Sequence, residues 1–538
     1  MLDAWFADLR HSLRSLVARP GFTLVAVLTL ALGIGANTAI YSLYQQLVAR
    51  PLPVSAPGEL VNLSAPGPKW GSTSNSTTGT REEIFSYPMW RDLESGQSAF
   101  QGIAAHRNLR VNLAFQGQTQ AGLAMMVSSS YFSVLGLNPA LGRLLGPEDG
   151  AVVGEPRVAV LSHSYWQNQL GGRTDVIGQP IKVNGETLTV IGVAAPGFTG
   201  TTTGFRAQVF VPLTLRWLLS PANPPDHENR KSYWLYLFAR LKPGSDIQSA
   251  GVEINRLYQR LINEVEAPLN ADMDATTMAQ FKAKSITLAP GERGQSSLSR
   301  NATTPMLLLL AVATLVLLIA CLNTANLLLA RASTRAGELA LRVSIGASRS
   351  RLLRQHLVES LLLALFGGLA SLPVAKLCLM AIVALMPPDA AGAADPVLEI
   401  DVMLYALAVG VATVLVFGLF PALQAARTAP IQALKGSTGG SGVSRIATHF
   451  RSALATVQIA LSMVSLVLAG LFIQSLVNLS RVDLGMQLDA LATFSISPAR
   501  NGYTSERSRQ LFDQLEQELA QLPGVTGVST SMVTLLSN

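Results

Sequence analysis

The stretch ARASTRAGELALRVSIGASRSRLLRQHLVESLLLAL at 330–365 decides the reading of this chain. It leaves one long apolar run and feeds another, and between them it carries Arg331, Arg335, Arg342, Arg349, Arg351 and Arg354 against a single acid, Glu338. The spacing predicts a short helix over 338–345, with Leu339 and Val343, and Leu341 and Ile345, at i, i+4. Gly346 is a natural stop, and Ser348 or Ser350 can cap the next helix, which continues into the apolar run. A short helix then lies across the mouth of a membrane bundle, rigidly continuous with two membrane helices. Such an element can pass a push from a soluble partner. The plainer alternative is a basic loop that only fixes topology.

Working outward, five apolar stretches reach the roughly 20 residues that a bilayer requires. They run over 21–48, 305–330, 357–386, 402–426 and 453–477. Basic residues cluster before the first span (Arg10, Arg14, Arg19), between the second and third, and between the fourth and fifth (Arg427, Lys435, Arg445, Arg451). Positive loops stay inside, so the N-terminus and the segments 331–356 and 427–452 are expected to be cytoplasmic. The loop 387–401 carries Asp389, Asp395, Glu399 and Asp401 with no base, and is expected outside with 49–304 and 478–538. The first span could pass for a signal peptide, but its apolar run continues to Val48 without a clean small-residue cleavage site, which favours an uncleaved anchor.

Composition agrees. Of the 538 residues 49% are hydrophobic and 14% charged, against roughly 25% charged in an ordinary soluble domain. This excludes a disordered chain, a collagen-like chain, a disulfide scaffold and a wholly soluble protein. The net charge of +7 is largely topological, so nucleic acid is not an expected partner. The lipid bilayer is.

The expected fold class is a polytopic α-helical membrane protein, five spans in this chain, with a large α+β extracytoplasmic domain. Residues 1–20 read as a cytoplasmic amphipathic helix lying in the interface, broken at Pro20-Gly21. Within 49–304, 158–162 reads as a strand and 164–170 as a short helix. Residues 181–183 and 187–193 form a hairpin about Asn184-Gly185, 235–241 is a strand, and 246–266 a helix. The polar run GSTSNSTTGT at 71–80 reads as a flexible loop. In 478–538, 491–496 and 525–529 read as strands around a polar helix at 505–522. That β-α-β unit lacks partner strands, so the chain is expected to be C-terminally truncated.

Sites of chemistry are sparse. There is no H-E-x-x-H, no G-x-S-x-G and no G-x-x-x-x-G-K-[ST], so no catalytic, metal or cofactor residues are expected in this chain. Cys321 and Cys378 fall within spans as inert thiols. Glu359 lies near the start of the third span, Lys376 is expected to snorkel, and Asn323 and Asn326 to make interhelical hydrogen bonds.

The 330–365 segment resembles the coupling region of MacB/FtsX-type permeases of ABC transporters, where R-x-x-E-[IL]-[AG]-[IL]-R-x-x-[IL]-G-A-S docks on the ATPase. Arg335, Glu338, Leu339, Ala340, Leu341, Arg342, Ile345, Gly346, Ala347 and Ser348 fill that pattern. PGFTLVAVLTLALGIGANTAIYSL at 20–43, VSSSYFSVLGLNPALGRLLGPED at 127–149 and PALQAARTAPIQALKG at 421–436 are similar to the same family's duplicated branch, and FRSALATVQIALSMVSLVLAGLFIQSL at 450–476 to the start of its second copy. The resemblance implies a MacB-like periplasmic core domain at 49–304. It implies a bacterial inner-membrane permease of an export or mechanotransmission complex, with ATP bound by a separate ABC-type ATPase subunit, and a periplasmic or outer-membrane partner. An FtsX-like regulator of an extracytoplasmic partner, without transport, is the alternative.

Overall fold

A computed structural model describes residues 2–220, 226–334, 349–386, 394–427, 445–480, 491–494, 496–498 and 503–531. It divides into two units, one of 1–48 with 301–486 and one of 49–300 with 487–538.

The first unit is helical. Leu2–Val17 is a helix, and Arg19 leaves helical geometry before Pro20 opens the next helix, Pro20–Tyr44. Proline suits that place because the first-turn N–H has no intrahelical partner to lose. Ser297–Thr334, Arg349–Leu385, Ile400–Arg427 and Arg445–Ser480 follow. Among the described residues four segments are long and apolar enough to cross a membrane: Pro20–Ala49, Ser297–Ala330, Leu357–Leu385 and Ser452–Ser475. Ile400–Arg427 is a further apolar helix of 28 residues. Ser350 lies inside its helix, so it does not cap it.

The first span is packed on opposite sides. Gly33 and Gly35, two residues and so about 200° apart on a helix, each face a neighbour at close range. A Cβ on Gly33 would stand 2.9 Å from Ala320 Cβ, and one on Gly35 2.7 Å from Val374 Cγ1 and 3.0 Å from the Ser371 carbonyl. Hydrogen at these positions lets the helices Ser297–Thr334 and Arg349–Leu385 approach the first span from either side.

The second unit is built on a twelve-stranded sheet. Its main path runs Thr287–Pro290, Leu60–Ser64, Ser232–Leu241, Phe100–Phe115, Gln118–Val127, Val209–Pro212, Val158–Leu161, Glu186–Val193 and Leu141–Gly142. Ser232–Leu241 is buried at every position: Tyr233–Ala239 is an unbroken apolar run, and the buried Arg240 pairs with Glu59 at 3.0 Å. Leu235, Leu237 and Ala239 point into one apolar cluster with Ile254 and Tyr258. Phe238 points into the other with Tyr131, Phe132, Phe198 and Phe210. The hairpin forms as expected, Val183 opposite Glu186, with φ of 51° and 86° at Asn184 and Gly185. Asp246 caps the helix Ile247–Arg260, which continues as a π-helix over Leu261–Glu266.

Two expectations are corrected. The run 71–80 is a tied segment: Ser72–Thr73 pairs with the central strand, Thr78 is buried, and Tyr236 donates its hydroxyl to the Gly79 carbonyl at 3.1 Å. Although Ser74 and Thr77 are exposed, their carbonyls accept from Arg107 and Ser297, so the segment's backbone is bound to the domain. Further along, 491–494 and 525–531 have no regular structure, because no strand lies beside them to complete a ladder among the described residues. The helix between them is Ser505–Ala520.

Candidate functional site

The ten expected coupling residues, Arg335, Glu338, Leu339, Ala340, Leu341, Arg342, Ile345, Gly346, Ala347 and Ser348, lie outside the described residues, as does the short helix expected there. The helices on either side are described, and they show what holds the segment's two ends.

At the entry of Arg349–Leu385 the N-terminal helix is bound by side-chain pairs. Arg354 Nε donates to Asp8 Oδ2 at 2.6 Å, with the two side chains 26% and 9% exposed. Ser15 donates to Glu359 Oε1 at 3.2 Å. Leu16 packs with Ala26, Val358, Leu362 and Leu363, and Leu328 of Ser297–Thr334 joins the same cluster. A charge-assisted bond of this kind contributes about 1.5–3 kcal/mol. Three elements therefore converge where the coupling segment begins and ends. Glu359, expected near the start of a span, accepts a hydrogen bond from Ser15 of the helix Leu2–Val17.

A second polar node sits inside the bundle. Asn37, 1% exposed, donates to Thr314 Oγ1 at 3.2 Å and accepts from the Tyr405 hydroxyl at 2.6 Å. Tyr41 and Tyr405 stack with ring centroids 3.8 Å apart. Three helices are thus joined through one amide, in a setting where interhelical hydrogen bonds give about 0.6 kcal/mol each and at most about 1.7. Asn326 bonds Gln458 at 3.2 Å, bearing out its interhelical reading, whereas Lys376 is exposed and Cys321 donates to Thr413 at 3.5 Å. Sequence reasoning passed over Asn37, whose isolation in an apolar run was the available signal.

In the second unit the first turn of Ser297–Thr334 is clasped. The Ser297 N–H and hydroxyl both donate to the Thr77 carbonyl, Ser296 Oγ donates to the Thr203 carbonyl, and Arg300 pairs with Glu83. Just ahead of it, Gln295 bonds His106 Nε2 at 2.9 Å and donates to the Leu237 carbonyl. Burial takes His106 down to about 4, so the ring is neutral, while the bond to Gln295 opposes the shift. The expected loop at 71–80 is thus half of a clasp on a membrane helix.

Elsewhere in this unit burial pulls Lys69 down to about 6, with Lys284 and Arg81 as further positive neighbours. Its amino group donates to the Ala65 carbonyl and lies 5.6 and 5.4 Å from the Phe85 and Tyr233 ring centroids. Lys284 is taken to about 8 by burial, against Glu266.

The arrangement is that of a polytopic membrane protein whose helices anchor a large α/β domain. Residues 23–257 match the family model of the MacB-like periplasmic core domain, and 310–430 that of the FtsX-like permease C-terminal. The chain belongs to the MacB/FtsX-type ABC transporter permeases, with its core domain on the outer side of the membrane. It is 23% identical over 441 residues to the macrolide export ATP-binding/permease protein MacB 2 of Aeromonas hydrophila, covering 80% of this chain and 61% of that protein. It is 22% identical over 433 residues to the uncharacterized ABC transporter permease YknZ of Bacillus subtilis, covering 80% and 98%. With the pyoverdine export ATP-binding/permease protein PvdT of Pseudomonas syringae it shares 27% over 283 residues, 52% of this chain and 38% of that one. The chain therefore spans less than two thirds of the two export proteins. Among solved structures, the periplasmic region of MacB from Actinobacillus actinomycetemcomitans covers 44% of this chain and 90% of its own, at 14% identity and a TM-score of 0.31. The extracellular domain of YknZ from Gram-positive bacteria covers 43% and 99%, at 16% identity and 0.28.

Proposed function

We propose that this chain is the permease subunit of an ABC-type export or mechanotransmission complex in the bacterial inner membrane, with its N-terminus in the cytoplasm. ATP is bound and hydrolysed on a separate ATPase subunit, and this chain carries no cofactor of its own. Closure of the ATPases pushes the segment 331–356. The push passes along the membrane helices to the extracytoplasmic domain, where a periplasmic or outer-membrane partner receives it. One observation carries the reading: Ser297–Thr334 is one helix whose 38 described residues reach the residue before the coupling pattern and begin in the Thr77, Thr203 and Glu83 clasp. The excess of arginine over acid in 330–356 supports a cytoplasmic place for that pattern.

The test is affinity purification of the full-length protein from native membranes, with mass spectrometry, for wild type and Glu338→Arg. A soluble ATPase should accompany the wild type and be missing from the variant. Its presence in both, or its absence from both after crosslinking, would overturn the coupling assignment. Co-purification of an extracytoplasmic hydrolase together with the ATPase would select the regulatory, FtsX-like form of the complex.

A further inference from the structure

The helix Leu2–Val17 divides its circumference among three environments. Asp8, Ser12 and Leu16 are buried and Ser15 is half-buried, and this face meets the helix Arg349–Leu385 through the Arg354 and Glu359 pairs. At 100° per residue, Leu9, Leu13, Phe6 and Val17 fall together on the next arc of about 80°. They are 44%, 43%, 69% and 72% exposed. Arg10 and Arg14 follow directly on the far edge of that apolar arc, both exposed, and Arg19 stands at the junction before Pro20. None of these three arginines has an ion pair among the described residues.

An apolar arc of this width cannot face water without cost, and the next helix enters the membrane two residues after Ala18. The occupant must therefore be apolar on one side and negatively charged along the edge where the arginines lie. A leaflet of anionic phospholipid has that profile: acyl chains for Phe6, Leu13 and Val17, and phosphates for Arg10 and Arg14. We propose that Leu2–Val17 docks on anionic phospholipid headgroups and, through Asp8 and Ser15, reports the charge of its leaflet to the root of the coupling segment. The second half of this inference rests on the coupling function proposed above. The docking half does not.

The mechanism follows from the two faces being on one rigid helix of 16 residues. Headgroup attraction acts on the arginine edge and draws the apolar arc into the interface. The opposite face carries Arg354 and Glu359 with it, because their partners are fixed to the same helix. Lipid charge then biases where Arg349–Leu385 begins, which is where the coupling pattern ends.

The test uses the full chain in nanodiscs of phosphatidylcholine alone and of phosphatidylcholine with about 30% phosphatidylglycerol. Amide hydrogen exchange is followed over 2–17 and 349–366. In the anionic discs exchange over 2–17 should slow by up to about thirtyfold, the effect of two arginines at a charged surface. The slowing should disappear in Arg10→Gln/Arg14→Gln and shrink as salt is raised on the wild type. Asp8→Asn should keep the slowing over 2–17 and lose the accompanying change over 349–366. Exchange that ignores lipid charge and salt, or slowing that survives the double arginine variant, would overturn the docking and assign this face to a protein partner. The salt series needs no variant, and none of these readouts involves the ATPase, so they fail independently of the coupling assignment.

Discussion

Replacing Lys69 by methionine should stabilise the extracytoplasmic domain, and the size of the gain can be worked from its surroundings. Lys69 is 6% exposed, and among the described residues no carboxylate is hydrogen-bonded to it, Glu82 acting on it only through space. Its ordinary value of 10.5 falls to about 6 in the fold, chiefly because burial removes water from the ammonium. The unfolded chain therefore binds a proton that the folded chain does not. At pH 7 that difference costs the fold about 5 kcal/mol. Methionine would leave the buried Ala65 carbonyl without its donor, which gives back about 2 kcal/mol. Methionine has similar length, no charge to desolvate and a sulfur that suits aromatic neighbours. The net expectation for Lys69→Met is a gain of about 2–3 kcal/mol at pH 7. Because the folded value is depressed, the cost of Lys69 is complete below about pH 6 and fades as pH rises toward 10.5. The gain should therefore be larger at pH 6 than at pH 9. Urea titration of the full chain in detergent reads this directly, since five of the six tryptophans (Trp70, Trp90, Trp166, Trp217 and Trp234) lie in 49–300. A loss of stability in Lys69→Met, or a gain that does not change between pH 6 and 9, would refute the argument and give Lys69 a charge partner in the folded state.

Two further outcomes are expected. His106 also has a depressed value, about 4 against 6.5, so its contribution is present above pH 6.5 and lost as pH falls toward 4; at pH 5 the loss is about 2 kcal/mol, and His106→Gln should flatten the urea midpoint between pH 6.5 and 5 while leaving the Lys69 window untouched. Gly35→Ala should destabilise the bundle by about 1–3 kcal/mol, because the new methyl meets Val374 and the Ser371 carbonyl, whereas Gly368→Ala meets nothing within 4 Å and should be neutral or stabilising by up to about 1 kcal/mol; hydrogen exchange in the first and third membrane helices separates the two.

What the sequence disclosed was local. The Asn184-Gly185 hairpin needs only two adjacent residues with positive φ, and the strand at 235–241 shows as the apolar run Leu235–Ala239. The membrane helices follow from composition over a window. What stayed hidden depends on partners far away in the chain. Asp8 and Arg354 are 346 residues apart, and Asn37 and Tyr405 are 368 apart. The run at 71–80 looked like a solvated loop because its composition is that of one. Its actual role is set by Tyr236, Arg107 and Ser297, none of which periodicity could place beside it. The coupling pattern at 335–348 was legible as a motif and rests on that motif.

The helix that begins in the clasp also decides where a relay would be stiff and where it would give. At 1.5 Å per residue its 38 residues run about 57 Å, well beyond the roughly 30 Å of hydrocarbon. Along its sequence it is held at Ser297 and Arg300 in the clasp, at Thr314 on Asn37, and at Leu328 in the cluster around Leu16. Between the last two, packing against the first span at Leu317 and Ala320 leaves little room for the helix to turn independently. Between the first two lies Pro305, which has no N–H to give to the carbonyl of Asn301. That missing bond sits four residues into the unit that begins at Asn301. With the helix packed from Thr314 to Leu328 and one backbone hydrogen bond missing at Pro305, a bend in it is expected near Pro305 in preference to the packed stretch.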